Sequence, residues 1–124
     1  MCLLLVPLPA AAQQLNCAAP VTQADMTSCA AQDADRADAA LNAAYRVAIA
    51  QARRMDAGQP GLSPSFEEIL RDAQRAWIPF RDAACSAEAS LARGGSMSSM
   101  LFYLCVEKLT QRRTDDLTYY GQIN

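Results

Sequence analysis

Five cysteines, no histidine, and carboxylates set among arginines define the chemistry open to this 124-residue chain. Cys2 lies in an apolar opening segment, while Cys17, Cys29, Cys85 and Cys105 are far apart in sequence. Zinc sites favour closely spaced cysteine pairs, commonly with histidine. The long spacings therefore argue for disulfides over metal, and no cofactor is implied. Asp38 and Asp82, with their neighbouring arginines, are the residues a hydrolytic centre would draw on. A nucleophile needs an adjacent base, and no histidine exists to serve. Paired-carboxylate hydrolysis needs two carboxyl groups facing across a cleft, whereas Asp82 and Glu88 share one segment. The stretch AQRAWIPFRDAAC at 73–85, with the single Trp, is thus expected to be a seam between packed elements and not a reactive centre.

The opening MCLLLVPLPAAAQQ carries an apolar run followed by Ala10-Ala11-Ala12, an A-x-A processing pattern. Residues 1–12 are expected to be a signal peptide, truncated at its start because no Lys or Arg precedes Arg36. The run is too short to span a bilayer, so no stable membrane insertion is expected once it is removed. Residues 13–124 then form a single domain with four cysteines. An even cysteine count in a short exported chain points to two disulfides and a periplasmic or secreted location. The net charge of −2 lacks the clustered basic face of a nucleic-acid binder.

Those cysteines and charges must be held by helices. Ala, Leu, Arg, Gln, Glu and Met dominate, and no stretch alternates like a strand. The first helix is predicted to start near Thr22, with a weak capping box to Asp25, and to stop by Gly58. Met26, Cys29, Ala37, Leu41, Tyr45, Ala48, Ala52 and Met55 form its apolar stripe. The second starts at Ser63 or Ser65, carries Phe66, Ile69, Ala73, Trp77, Phe80 and Ala84 inward, kinks at Pro79, and ends by Gly94-Gly95. The third starts near Ser96 or Ser98, with Leu101, Leu104, Cys105, Leu109, Leu117 and Tyr120 inward. The expected fold is all-α, a small antiparallel three-helix bundle with two disulfides.

Antiparallel neighbours allow residues to be levelled. Cys85 and Cys105 lie symmetrically about Gly95, so they are predicted to pair. Cys17 is left for Cys29, although Cys29 falls within about 9 Å of the level of Cys85, and spacing alone leaves the connectivity open. Trp77 levels with Ala43 and Arg113, and Arg81 with Ala39, next to Asp38. Asp38, Asn42, Trp77, Arg81 and Arg113 are therefore expected to form a polar and aromatic layer. In it Arg113 would lie over the indole and Asp38 would pair with Arg81. The turn Ala92-Arg93-Gly94-Gly95-Ser96 is the expected projecting loop. Met100 and Phe102 are the expected exposed apolar groups beside it, and all of these are candidate partner contacts.

The ordered motifs also carry a resemblance. QADMTSCA at 23–30 is followed by A-D-x-x-L-N-x-x-Y at 37–45 and AQRAWIPFRDAAC at 73–85. GGS follows at 94–96, then L-T-x-x-R-T-x-x-L at 109–117. Together they resemble the small exported domain named for the lysozyme inhibitor LprI, formerly a domain of unknown function, over nearly all of the mature chain. The resemblance implies a helical, disulfide-bearing domain of the bacterial envelope, with lysozyme inhibition in at least one branch. By position, Cys29, Asn42, Tyr45, Gln74, Trp77, Arg81, Asp82, Cys85, Cys105 and Arg113 match its pattern, as fold-defining residues. Two departures stand out. Asn16 before Cys17 does not fit a lipoprotein processing site, and Pro79 is not required by the pattern. The resulting expectation is a non-enzymatic protein-binding module whose partner is a lysozyme. The alternative is an envelope structural or assembly domain with another protein partner. The sequence does not set the oligomeric state.

Overall fold

A computed structural model describes residues 14–123. The expected leader, with Cys2, lies outside the described residues, as do Gln13 and Asn124. Three helices follow in order: α1 (Gln23–Gly58), α2 (Phe66–Ala89) and α3 (Ser98–Gln122), with a 3₁₀ turn (Ser90–Ala92) after α2. α1 has 36 residues and so runs about 54 Å. α2 is antiparallel to both neighbours, while α1 and α3 run the same way. Gln23 of α1 reaches Met100 at one end, and Gln51 donates to the Ile123 carbonyl at the other. The expected all-α three-helix bundle is the fold found.

Local chemistry sets the helix starts. Thr22 accepts from the Asp25 amide while Asp25 accepts from the Thr22 amide. Ser65 and Glu68 form the same reciprocal cap on α2. Of the two starts predicted for α2, the Ser65 box is used, and Ser63-Pro64 lies in the preceding turn. At such a cap the side chains satisfy amides that have no partner within the helix. Gly58 is the last residue of α1. α2 continues through Pro79, so the helix is not broken there.

Two apolar clusters make the core. Leu41, Ala48, Ile49, Ala52, Leu70 and Leu117 form one, with Tyr45, Phe66, Trp77 and Tyr120 packed against it. Ala34, Cys85, Cys105 and Val106 form the other, with Phe102, Tyr103 and Leu109 alongside. α3 approaches α1 closely at Gly121, where an added Cβ would lie 3.1 Å from Val47 Cγ1.

The predicted stripe of α2 needs correction. Ile69 and Phe80 are 53% and 62% exposed, and Ala73 is exposed as well. The inward positions belong instead to Leu70, Gln74, Cys85 and Ala89, with Arg81 largely covered. Apolar periodicity misplaced the face because two inward positions carry polar side chains whose partners lie on other helices. On α3, Leu104 likewise faces solvent, and Val106 and Thr110 are buried.

Candidate functional site

Between the two apolar clusters lies a polar layer. Arg81 Nη1 donates to Asp38 at 2.7 Å and to the Thr110 hydroxyl at 3.2 Å. Its Nε donates to Asp82 at 2.9 Å. The same guanidinium lies 5.4 Å from the Trp77 ring centroid. The expected place of Arg113 over the indole is not the one found; its Nε donates to the Gln74 side-chain oxygen Oε1 at 3.0 Å. Arg81 sits one turn beyond Trp77 on the same helix, so it reaches the ring without crossing to α3. Asp38–Arg81 is the expected pair between α1 and α2.

Asn42 stays outside this network. It is exposed and lines a depression of about 290 Å³ with Tyr45, Arg71, Gln74, Arg75 and Ile78. Thr110, named in sequence only within the L-T-x-x-R-T-x-x-L run and not among the expected members of the layer, is fully buried and joins it. Its signal is weak, since a lone Thr in a helix resembles any surface position. Both carboxylates of the conceivable hydrolytic cluster, Asp38 and Asp82, are engaged by one guanidinium. Among the described residues, no side-chain polar atom is buried without a partner. The layer joins all three helices, with Asp38 on α1, Gln74 and Arg81 on α2, and Thr110 and Arg113 on α3.

The projecting surface lies at the end of the bundle where α2 turns into α3. Cys85, in the last turns of α2, is bonded to Cys105 of α3, their Cα atoms 5.4 Å apart. Cys17 is bonded to Cys29, with Cα atoms 5.5 Å apart, and ties the chain's entry back onto α1. These are the predicted pairings.

The turn closes itself with its own backbone. Arg93 N–H donates to Ser90 O, Gly95 N–H to Ala92 O, and Ser98 N–H to Gly95 O. The Ser98 hydroxyl reaches back to Ala89 O at 3.1 Å. Gly94 has φ +83°, a left-handed conformation that favours glycine.

Arg93, Gly94, Gly95 and Ser96 are all exposed, as predicted. Met100 and Phe102 are corrected: both are partly buried, Met100 beside Gln23 and Phe102 against the disulfide cluster. The exposed apolar groups flanking the turn are instead Leu91 at 86% and Met97 at 46%. Both sit in the turn itself, outside the helical period that guided the prediction. Below the turn, Ser86, Ala89, Ser98, Ser99, Phe102 and Tyr103 line a depression of about 300 Å³. Among the described residues no cluster of His, Cys, Asp or Glu is arranged to hold a metal. No described helix is long and apolar enough to cross a membrane.

The opposite end, between α1 and α2, is braced by charge. Both carboxylate oxygens of Asp56 accept amide hydrogens of the first turn of α2, from Phe66 at 2.7 Å and Glu67 at 3.2 Å. Glu67 bridges Arg53 and Arg71. The hydrogen bond from Arg53, helped by the charges of Arg53 and Arg71, holds the Glu67 carboxyl below its usual range against the opposing effect of burial. Nearby, burial and the charge of Asp56 push the Tyr120 phenol up.

Comparison with known proteins matches this architecture. The solved structure of a DUF1311 family protein from Pseudomonas putida KT2440 superposes with a TM-score of 0.69 at 23% identity, over 80% of this chain and 93% of that one. An uncharacterized protein of Rhizobium meliloti (strain 1021) is 41% identical over 114 residues, spanning 88% of this chain and 82% of the relative. The sequence profile described as Lysozyme inhibitor LprI matches residues 16–117, which include all three helices up to Leu117 and all four described cysteines. With its profile match, its ordered motifs and its three disulfide-clamped helices, the chain belongs to the lysozyme inhibitor LprI family.

Proposed function

We propose that this chain is an exported, non-enzymatic protein-binding module that inhibits a lysozyme by seating its α2–α3 turn in the enzyme's substrate cleft. The observation that supports the reading is the exposed α2–α3 turn: it closes on its own backbone hydrogen bonds, joins two helices tied by the Cys85–Cys105 bond, and presents Leu91, Arg93 and Met97 to solvent. A pre-ordered loop loses little entropy on binding, so its contacts translate into affinity. The family match supplies the enzyme class. The net charge of −2 suits a basic partner, because opposite charge speeds encounter. Two disulfides suit an oxidising compartment, in keeping with a periplasmic or secreted protein. Purified, oxidised protein at micromolar concentration is expected to bind a lysozyme and slow its cleavage of cell-wall substrate. Absence of both effects would overturn the proposal.

A second reading, an envelope structural or assembly domain, is favoured by one observation. The outer face of α2 leaves Ile69 and Phe80 exposed, with Ala73, Ala76, Ala83 and Ala87 at helical spacing between and beyond them. Exposed apolar patches mark contact surfaces. Phe80→Lys should leave lysozyme inhibition untouched if the turn is the inhibitory element. Its loss in that variant would move the contact to α2.

A further inference from the structure

The turn holds one charged group whose placement bears on how inhibition would work. Between Glu88 and Glu107, Arg93 is the only charged residue in the sequence. Its neighbours in charge are already committed: Glu88 pairs with Lys108 at 3.0 Å, and Asp25 closes the α1 cap. Other arginines facing the bundle, such as Arg81 and Arg113, bond within the fold. Arg93 is exposed, makes no ion pair among those found in the described residues, and stands at the tip between Leu91 and Met97. The backbone around it is fixed by the turn's hydrogen bonds and the disulfide behind.

We propose that Arg93 is the anchoring residue of the inhibitory turn and that its guanidinium engages the catalytic carboxylates of the bound lysozyme. This inference rests on the reading of the turn as the inhibitory element. A glycosidase of this class works with two carboxyl groups flanking the scissile bond. A planar guanidinium matches a carboxylate with two parallel hydrogen bonds. An arginine ringed by apolar groups that exclude water is also a common energetic centre of protein interfaces. Leu91 and Met97 are the exposed apolar groups of the same turn. Inhibition is then competitive with oligosaccharide substrate, because Arg93 occupies the place where the glycosidic bond must lie.

The test is a double-mutant cycle. Wild-type protein and Arg93→Ala are each titrated against a lysozyme and against its variant with the catalytic acid changed to the amide. Arg93→Ala is expected to weaken binding about 30-fold. The amide enzyme should weaken wild-type binding by a similar factor, and the two changes together should cost little more than either. Arg93→Lys should retain part of the affinity, since it keeps the charge without the fork. Because the Arg93 side chain is exposed, the far-UV spectrum and melting of Arg93→Ala should match wild type.

If Arg93→Ala binds and inhibits like wild type, the proposal fails while inhibition by the chain stands. If its loss simply adds to that of the amide enzyme, Arg93 touches the cleft rim and not the carboxylates, and the proposal is again overturned. If wild-type protein neither binds nor slows the enzyme, the underlying reading fails and takes this inference with it.

Discussion

The two ends of the bundle solve the same problem with different chemistry. At each, one helix must hand over to another across a short exposed turn. At the α2–α3 end the brace is chiefly covalent, Cys85 to Cys105, with Glu88 and Lys108 paired nearby, and the turn's hydrogen bonds are made by backbone and the hydroxyls of Ser90 and Ser98. At the α1–α2 end the brace is ionic: Asp56 caps α2, and Arg53, Glu67 and Arg71 link across it. The difference concerns which side chains remain available. The ionic end commits its charged groups to holding itself together. The covalent end carries one ion pair, Glu88 with Lys108, between the helices and none within the turn, so Leu91, Arg93 and Met97 are free to meet a partner.

The largest expected effect tests the covalent brace. Changing Cys85→Ser and Cys105→Ser together opens a loop with a sequence separation of 20 residues. The expected loss is roughly 3 kcal/mol of stability and on the order of 10 °C in thermal midpoint, read by circular dichroism. Inhibition should weaken too, as the turn loses its anchor. Unchanged melting would show that the two ends do not differ in the way argued.

Asp56→Ala removes the carboxylate that caps α2. It should cost about 1–2 kcal/mol, read as a lower denaturant midpoint, yet leave lysozyme inhibition intact. A large loss of inhibition would place the α1–α2 turn, and not the α2–α3 turn, at the partner.

A matched glycine pair sharpens the contrast further. Gly61 and Gly94 have φ +90° and +83°, and an added Cβ at either would touch nothing within 4 Å. Each change to Ala should therefore cost about 1 kcal/mol from backbone strain alone. Only Gly94→Ala should also weaken inhibition, as measured by the inhibition constant.

The smallest effect is expected from acid. The folded-state pKa of Glu67 is lowered by the Arg53 hydrogen bond and the neighbouring arginines. Its contribution is present above the unfolded carboxylate value and fades as pH falls through the lowered folded value. The pair is exposed, so the change is modest. Protection factors of amides in the first turn of α2, taken against the intrinsic exchange rate at each pH, should fall in acid, while those of the α2–α3 turn hold. Glu67→Gln should flatten that response, and an equal fall at both ends would remove the distinction.

Much of this was legible in sequence because it is local or nearly so. Thr22 with Asp25 and Ser65 with Glu68 are caps completed within four residues, and Gly58 ends α1 where breaker residues begin. Cys85 and Cys105 flank one turn, so helical rise alone levels them. Arg93, Gly94, Gly95 and Ser96 fall in that turn for the same reason. Leu91 and Met97 escaped because exposure inside a turn follows no period.

Sequence by itself therefore determined the three helices, the side-chain caps of α1 and α2, the disulfide levels and the place of the exposed turn, since each depends on contacts within a turn or between directly connected helices. Only the tertiary structure decided which face of α2 turns inward, and that Arg81, not Arg113, lies against Trp77. A polar side chain is stable inside only where other helices supply its partners. Asp38 and Thr110 supply them for Arg81, and Arg113 for Gln74. No pattern along α2 alone contains those groups, so Ile69, Ala73 and Phe80 looked like the core until the neighbours were in place.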